Sequence, residues 1–256
     1  MQGSVLKLKM VVMALMVLVL PAIAGADVFM KEKQHTDGMT LMGQAQPPQD
    51  KTITIWIAKD KMRRDQGDTS SIAKLDNDKL VVYRLNHSKK TYTELSVGSS
   101  DLQGAASAMA GDLKLKVTAT NESKKIGNWN CKKYLQTMEM GITPITSEIW
   151  ASEDIKIPYY EFYEKVSAAM MAQQPQTKVP VAAILEETKK IKGVPVLTTT
   201  TMTVMKNIQV NTSRELLEVK EETAPAGTFD LPEGYTKQAI SQDPGMSTMP
   251  GQSKPQ

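Results

Sequence analysis

Apolar and polar residues alternate with a period of two along most of the chain, the pattern of strands that bury one face. Thr52, Thr54, Trp56 and Ala58 interleave with Ile53, Ile55 and Ile57 in a run rich in β-branched side chains, which suit a pleated surface. Ser71 to Leu75 and Leu80 to Leu85 read as two further strands, parted by the turn signal Asp76-Asn77-Asp78. Lys90 to Leu95 follows the turn-like Asn86-His87-Ser88. Leu113, Leu115, Val117 and Ala119 then alternate with Lys114, Lys116, Thr118 and Thr120, giving one dry face and one wet face. Gly127-Asn128 leads into a strand from Cys131 to Met140, and another runs through Ile145, Ile149 and Trp150. Two long strands, Val194 to Val210 and Arg214 to Glu221, complete the series.

Helical spacing appears in two places. Ser99 to Gly111 has a capping pair, Ser100-Asp101, a filling of small residues around Ala105, Ala106 and Ala108, and a terminating glycine. From Pro158 to about Gly193, Tyr159, Phe162, Tyr163, Val166, Ala169 and Met170 recur at helical intervals until Gln173-Gln174-Pro175-Gln176 interrupts them. Val181 to Ile191 is a second helix with Ile184 and Leu185 inward and Glu186, Glu187, Lys189 and Lys190 outward. The expected fold class is mainly β (α+β): a curled antiparallel sheet forming an unclosed β-barrel with a helical lid. So many strands must curl, and helices inserted between hairpins cover one face. An apolar concave face beneath helices is a container.

The chain ends bound this domain. Lys7 and Lys9 precede an uninterrupted apolar run from Met10 to Leu20; Pro21 and the small residues Ala22, Ala24, Gly25 and Ala26 follow. This is the order of a cleavable export signal, residues 1–26, with cleavage before Asp27. The run is about half the roughly 20 residues of a spanning helix. Residues 27–240 read as a single domain, and 241–256, rich in Pro, Gly, Ser, Gln and Met, as a disordered tail. Localisation is therefore expected to be periplasmic.

Without the signal, 29 Lys and Arg face 28 Asp and Glu, a near-neutral balance that argues against a nucleic-acid partner. Cys131 is the single cysteine, so no internal disulfide forms, and it reads as a buried small hydrophobe. Chemistry is sparse. The two histidines, His35 and His87, are not placed by the sequence near Cys131 or a distinctive serine, and neither a nucleophile elbow nor a phosphate-binding glycine loop occurs. The expectation is a protein that is not an enzyme and has no cofactor. Methionine is the unusual count, 17 in all. Met39, Met42, Met138 and Met140 with His35 suggest a thioether site for Cu(I), weighed against the plainer reading of adaptable core or cavity lining, which the spacing favours.

A family resemblance sits on the first meander. Trp56-Ile57-Ala58-Lys59-Asp60-Lys61-Met62-Arg63, then Ile72 to Asp76, Asp78-Lys79-Leu80 and Tyr83, resembles lipoprotein-carrier proteins of the LolA type (the LolA/LppX-like fold). Phe229-Asp230-Leu231-Pro232-Glu233-Gly234-Tyr235 is similar to the closing strand and turn of that superfamily. Ile126-Gly127, Cys131 to Tyr134 and Ile149-Trp150 resemble an exported, uncharacterised bacterial family. The resemblance implies a half-barrel with a helical lid over an apolar cavity, and an arginine that tethers the lid. Arg63 matches that arginine, although alternation sends its neighbour Arg64 to the opposite face. The familiar proline before the arginine strand is replaced here by Asp60-Lys61.

The expected ligand is a lipid or the acyl chain of an acylated protein. Ile53, Ile55, Ile57, Met138 and Met140 would line the cavity, the segment holding Tyr159, Phe162, Val166 and Met170 would be the lid, and Arg63 the latch. The alternative is an envelope protein-interaction or sensor module that carries no ligand; copper binding is third.

Overall fold

The computed structural model describes residues 26–41, 44–76, 79–98, 115–140, 143–172, 181–204 and 208–239. The strands are β1 (Val28–Thr36), β2 (Met39–Leu41), β3 (Gln44–Gln46), β4 (Gln49–Ile57), β5 (Lys61–Gln66), β6 (Thr69–Asp76), β7 (Lys79–Asn86) and β8 (Thr91–Val97). They continue as β9 (Leu115–Ile126), β10 (Trp129–Met140) and β11 (Thr143–Ser152). Two helices follow, α1 (Tyr160–Ala172) and α2 (Val181–Thr188), then β12 (Val194–Val204), β13 (Ile208–Glu221) and β14 (Thr236–Lys237). The helix expected over Ser99 to Gly111, the Gln/Pro interruption, the export signal up to Gly25 and the 241–256 tail lie outside the described residues.

Among the described residues, twelve strands form one open sheet in the order β14-β8-β7-β6-β5-β4-β1-β13-β12-β11-β10-β9. The protein is thus mainly β, as the alternation predicts. Two meanders, β4 to β8 and β9 to β13, each pair consecutive strands antiparallel, with α1 and α2 inserted between β11 and β12. β1 joins them, pairing antiparallel with β4 on one side and with β13 on the other. Its Val28 and Met30 are buried, because a strand at the centre of a sheet has both edges paired and here its inner face covered as well.

The last hairpin departs from the expected boundaries. The stretch read as one long strand, Val194 to Val210, belongs to two antiparallel strands, β12 and β13, with Val204 opposite Ile208. Alternation alone cannot reveal a reversal whose two arms both carry β-branched residues. The second helix also stops at Thr188, short of Ile191, with Lys189-Lys190 in a turn.

Pairing of β1 with β13 contains a bulge. Lys31 faces Glu218, but Glu32 faces Leu216, leaving Leu217 as the extra, exposed residue. A bulge reverses the in-and-out phase of the strand beyond it. Leu216, Arg214 and Thr212 therefore turn to the inner face, with Arg214 opposite Gln34 and Thr198.

Gly193 shows how closely the chain passes itself after α2. Its φ of +89° is in the left-handed region, and an added Cβ would run into the Ser152 carbonyl and come within 2.6 Å of the Glu153 nitrogen. Gly193→Ala is expected to cost at least about 2–3 kcal/mol, from strain and clash together. Denaturant unfolding of the purified variant measures this; a loss under about 0.5 kcal/mol would contradict the close approach.

Candidate functional site

Helix α1 has two stripes, and they do different things. Phe162, Val166 and Ala169, spaced i, i+4, i+7, are buried in one cluster with Ile53, Ile55, Ile57, Met62 and Val82. Tyr160, Tyr163, Glu164 and Ser167, on the neighbouring stripe, line a cavity of about 300 Å³ between the helices and the β10–β13 side of the sheet. The three isoleucines are fully buried in that cluster and line neither this cavity nor the chamber beside it.

The cavity wall on the sheet side is rich in hydroxyls. Thr198, Thr200 and Thr212 face it with Ser147 and Gln136, while Ile149, Ala168, Ile184 and Ile191 supply aliphatic surface. Ser147 and Thr200 hydroxyls bond to each other at 2.8 Å. Polar contacts pin the helical side: the Tyr134 hydroxyl accepts from the Lys192 amide at 3.1 Å, and Glu187 of α2 accepts from the Val117 amide at 2.8 Å. The second of these satisfies a donor on β9, the terminal strand of the sheet.

A smaller chamber of about 90 Å³ adjoins the cavity, sharing Tyr160, Tyr163, Pro195, Thr198 and Arg214 with it and adding Glu32. Arg214 Nε lies 3.7 Å from Glu32 Oε2, and that buried oxygen has no hydrogen-bond partner among the described residues. Burial pushes the Glu32 carboxyl above its ordinary value, while Arg214 and then Arg64 pull it down. Burial also lowers Arg64, and the charge of Arg214 adds to this; Tyr160 and Tyr163 are raised by burial. At the other end, burial raises Glu164 against Lys189.

Arg63 is placed elsewhere. It lies on the outer face, its Nε bonded to both Asp65 carboxylate oxygens at 2.9 and 3.0 Å and its Nη1 to the Thr228 carbonyl at 3.1 Å. It thus holds the segment after β13 rather than α1, whereas Arg64, on the inner face, is the arginine in electrostatic reach of Tyr163. The matched segment Phe229 to Tyr235 is a succession of turns, not a strand. It is clasped further by Lys74 to Asp230 at 3.4 Å and by His87 Nδ1 to the Tyr235 hydroxyl at 2.7 Å.

His87 also reaches a serine that the sequence did not pair with it: its Nε2 is 2.6 Å from Ser70 Oγ. Ser70 in turn donates to Asp65. With its proton on Asp65, Ser70 accepts from Nε2–H, so the histidine is a donor here and not a base. The nucleophile–base–carboxylate order is absent from this trio.

None of the nine expected site residues whose side chains are described lines the two chambers. Tyr159 precedes α1 at a φ of +64°, and with Met170 packs on the margin of the isoleucine cluster. Met138 is buried opposite Ile145, and the side chain of Met140 lies outside what is described. His35 bonds Asp50 at 2.7 Å and sits 3.4 Å from Asp37; among the described residues no group of three or more His, Cys, Asp or Glu is placed to hold a metal. Cys131 is buried and its thiol pushed up by burial. The residues that do form the site, Glu32, Arg214 and the threonines, carried one legible signal, the run Thr198 to Thr201, whose alternate members must share a face.

Fold and site together define a β-sheet module with two helices over a cavity of mixed polarity. The chain belongs to the DUF4412 family, a domain of unknown function, which matches residues 37–235. No curated protein matches it. Among solved structures it is similar to PNGF-II in two crystal forms, at 13% and 14% identity and a TM-score of 0.41, over 84% of this chain and 31% of that one. The chain therefore spans about a third of the PNGF-II chains. It is also similar to the LolA superfamily protein NE2245 from Nitrosomonas europaea, at 9% identity and a TM-score of 0.30, over 80% of this chain and 90% of that one.

Two outcomes are expected of these groups. A carboxyl raised by burial keeps its proton in the folded state while the unfolded chain releases it, so stability falls as pH rises above the ordinary value of 4.5. Glu32→Gln, which mimics the protonated form, should gain stability over the parent at pH 7 and lose that advantage by pH 4; denaturation at both pH values measures it, and an advantage that grows toward acid would refute the buried carboxyl. Arg63→Ala should cost about 1–3 kcal/mol and deprotect residues 226–237 in hydrogen exchange; unchanged protection there would mean that the arginine does not hold the segment.

Proposed function

We propose that this chain is an exported module of the cell envelope, periplasmic in its mature form, that binds a small amphiphile between its sheet and α1–α2 and performs no catalysis. The observation that supports it is the cavity of about 300 Å³, at the lower end of the size range of ligand sites, about 300–1,000 Å³. Its aliphatic patches at Ile149, Ala168, Ile184 and Ile191 suit a short hydrocarbon, and its hydroxyl-rich wall suits a polar group. In this reading α1 and α2 form the lid of a half-barrel. The isoleucine half is the anchorage of that lid rather than the pocket, since Val166 is fully buried against it.

The ligand so described is more polar than a bare acyl chain, and carriage of acylated proteins is a narrower form of the same reading. An envelope protein partner would then be the donor or recipient of the ligand.

The test uses mature protein and the neutral fluorescent probe N-phenyl-1-naphthylamine, with native mass spectrometry of the same preparation. Wild type should take up the probe or retain a co-purified amphiphile. Ser167→Trp, which drives an indole into the cavity from a half-buried position, should weaken uptake at least about tenfold, a change of about 1.4 kcal/mol, with an unchanged melting temperature. Equal uptake by both proteins, or none by either, would leave the interaction-module reading in its place.

A further inference from the structure

We propose that the meeting point of the two chambers is an oxyanion site, in which Arg214 receives the carboxylate or phosphate headgroup of an anionic amphiphile. This rests on the cavity reading above and names its ligand class. Arg214 lines both chambers, and its side chain is 45% exposed overall while that of Glu32 is 7% exposed. A guanidinium offers five donors in a planar fork suited to two oxygens of one anion. Among the described residues that of Arg214 makes no hydrogen bond, since Glu32 at 3.7 Å is beyond hydrogen-bond reach.

The local charge points the same way. Arg64 and Arg214 both act on the single carboxylate of Glu32, and they repel each other. Two cations thus share one anion that burial drives toward its neutral form. Arg64 is already engaged, donating through Nη1 to Gln66 Oε1 at 2.9 Å. Arg214, and not Arg64, is among the residues that line the two chambers. The other charged group on the cavity wall, Glu164, belongs to α1 and is countered by Lys189.

Neighbouring groups supply further donors. The hydroxyls of Thr198 and Thr212 flank Arg214 by register, Thr198 directly across β12 and Thr212 two positions along β13. Tyr160 and Tyr163, stacked with ring centroids 5.4 Å apart, stand over the same junction, and both hold their phenolic protons because burial raises them. A cluster of hydroxyl donors around one guanidinium recognises an oxyanion and not an amine. The bulge at Leu217 is what delivers it, for without that extra residue Glu215 would occupy the inward position instead.

The experiment is calorimetric titration of the mature protein with octanoate, octyl phosphate, octanol and inorganic phosphate. Both anionic amphiphiles should bind at least about tenfold tighter than octanol. Arg214→Gln should abolish that preference while leaving octanol affinity unchanged. Glu32→Gln, which removes the competing carboxylate, should tighten octyl phosphate binding, and the double variant guards against unfolding caused by an uncompensated Glu32. Equal affinity for octanol and octanoate, with octanol bound, would overturn the oxyanion site and leave the cavity reading standing. Inorganic phosphate binding as tightly as octyl phosphate would overturn the amphiphile and assign the site to a free anion. Failure of every octyl compound would overturn both.

Discussion

The pairing of β1 with β4 on one side and β13 on the other is the constraint on which this structure depends. The first meander is local, made of hairpins whose ends are close in sequence, and the second is interrupted once, between β11 and β12, by the segment that carries α1 and α2. Neither half has a closed interior alone. β1 brings them edge to edge, although the residues it pairs with on β13 lie nearly two hundred positions downstream. Closing so long a loop costs entropy, but the cost grows only slowly with length. Burying Val28 and Met30 against Ile55, Ile57 and α1 offsets it.

The same strand divides the interior. Toward β4 its inner face continues into isoleucines and Met62, buried in one cluster with Phe162 and Val166. Toward β13 it continues into Glu32, Arg214 and threonines, whose side chains are short or charged and cannot fill the space beneath a helix. A cavity opens where the packing changes from aliphatic to hydroxyl-bearing. Anchorage and recognition are thereby separated: one stripe of α1 fixes the helix, and the adjacent stripe is left to face a ligand.

The outer face has its own constraint. Arg63, Asp65, Ser70 and His87 form a chain of hydrogen bonds that ends on Tyr235 and the Thr228 carbonyl. Ile72, which pairs with Arg63 in register on that face, is fully buried. The arginine that resembles a lid latch is therefore part of a clasp on the C-terminal segment, and its sequence neighbour faces the helices.

Alternation by itself determined the strands of the first meander and the amphipathic run through Leu115 and Val117, and helical spacing the existence of α1 and α2, because period and composition are local properties. It also determined that Arg63 and Arg64 point to opposite faces. It could not say which face was inside, since that depends on where the helix lands, and so the latch was assigned to the outward arginine. The isoleucines were expected to line the cavity and instead join the buried cluster under α1, for a buried apolar face is the same in sequence whether it packs on a helix or borders a void. Only the tertiary structure decided the site. A one-residue bulge at Leu217 reverses the phase of β13, and the register against β1 then brings Arg214 to Glu32 from opposite ends of the chain. Phase and long-range register arise from pairing between strands, and no window along a single chain contains them.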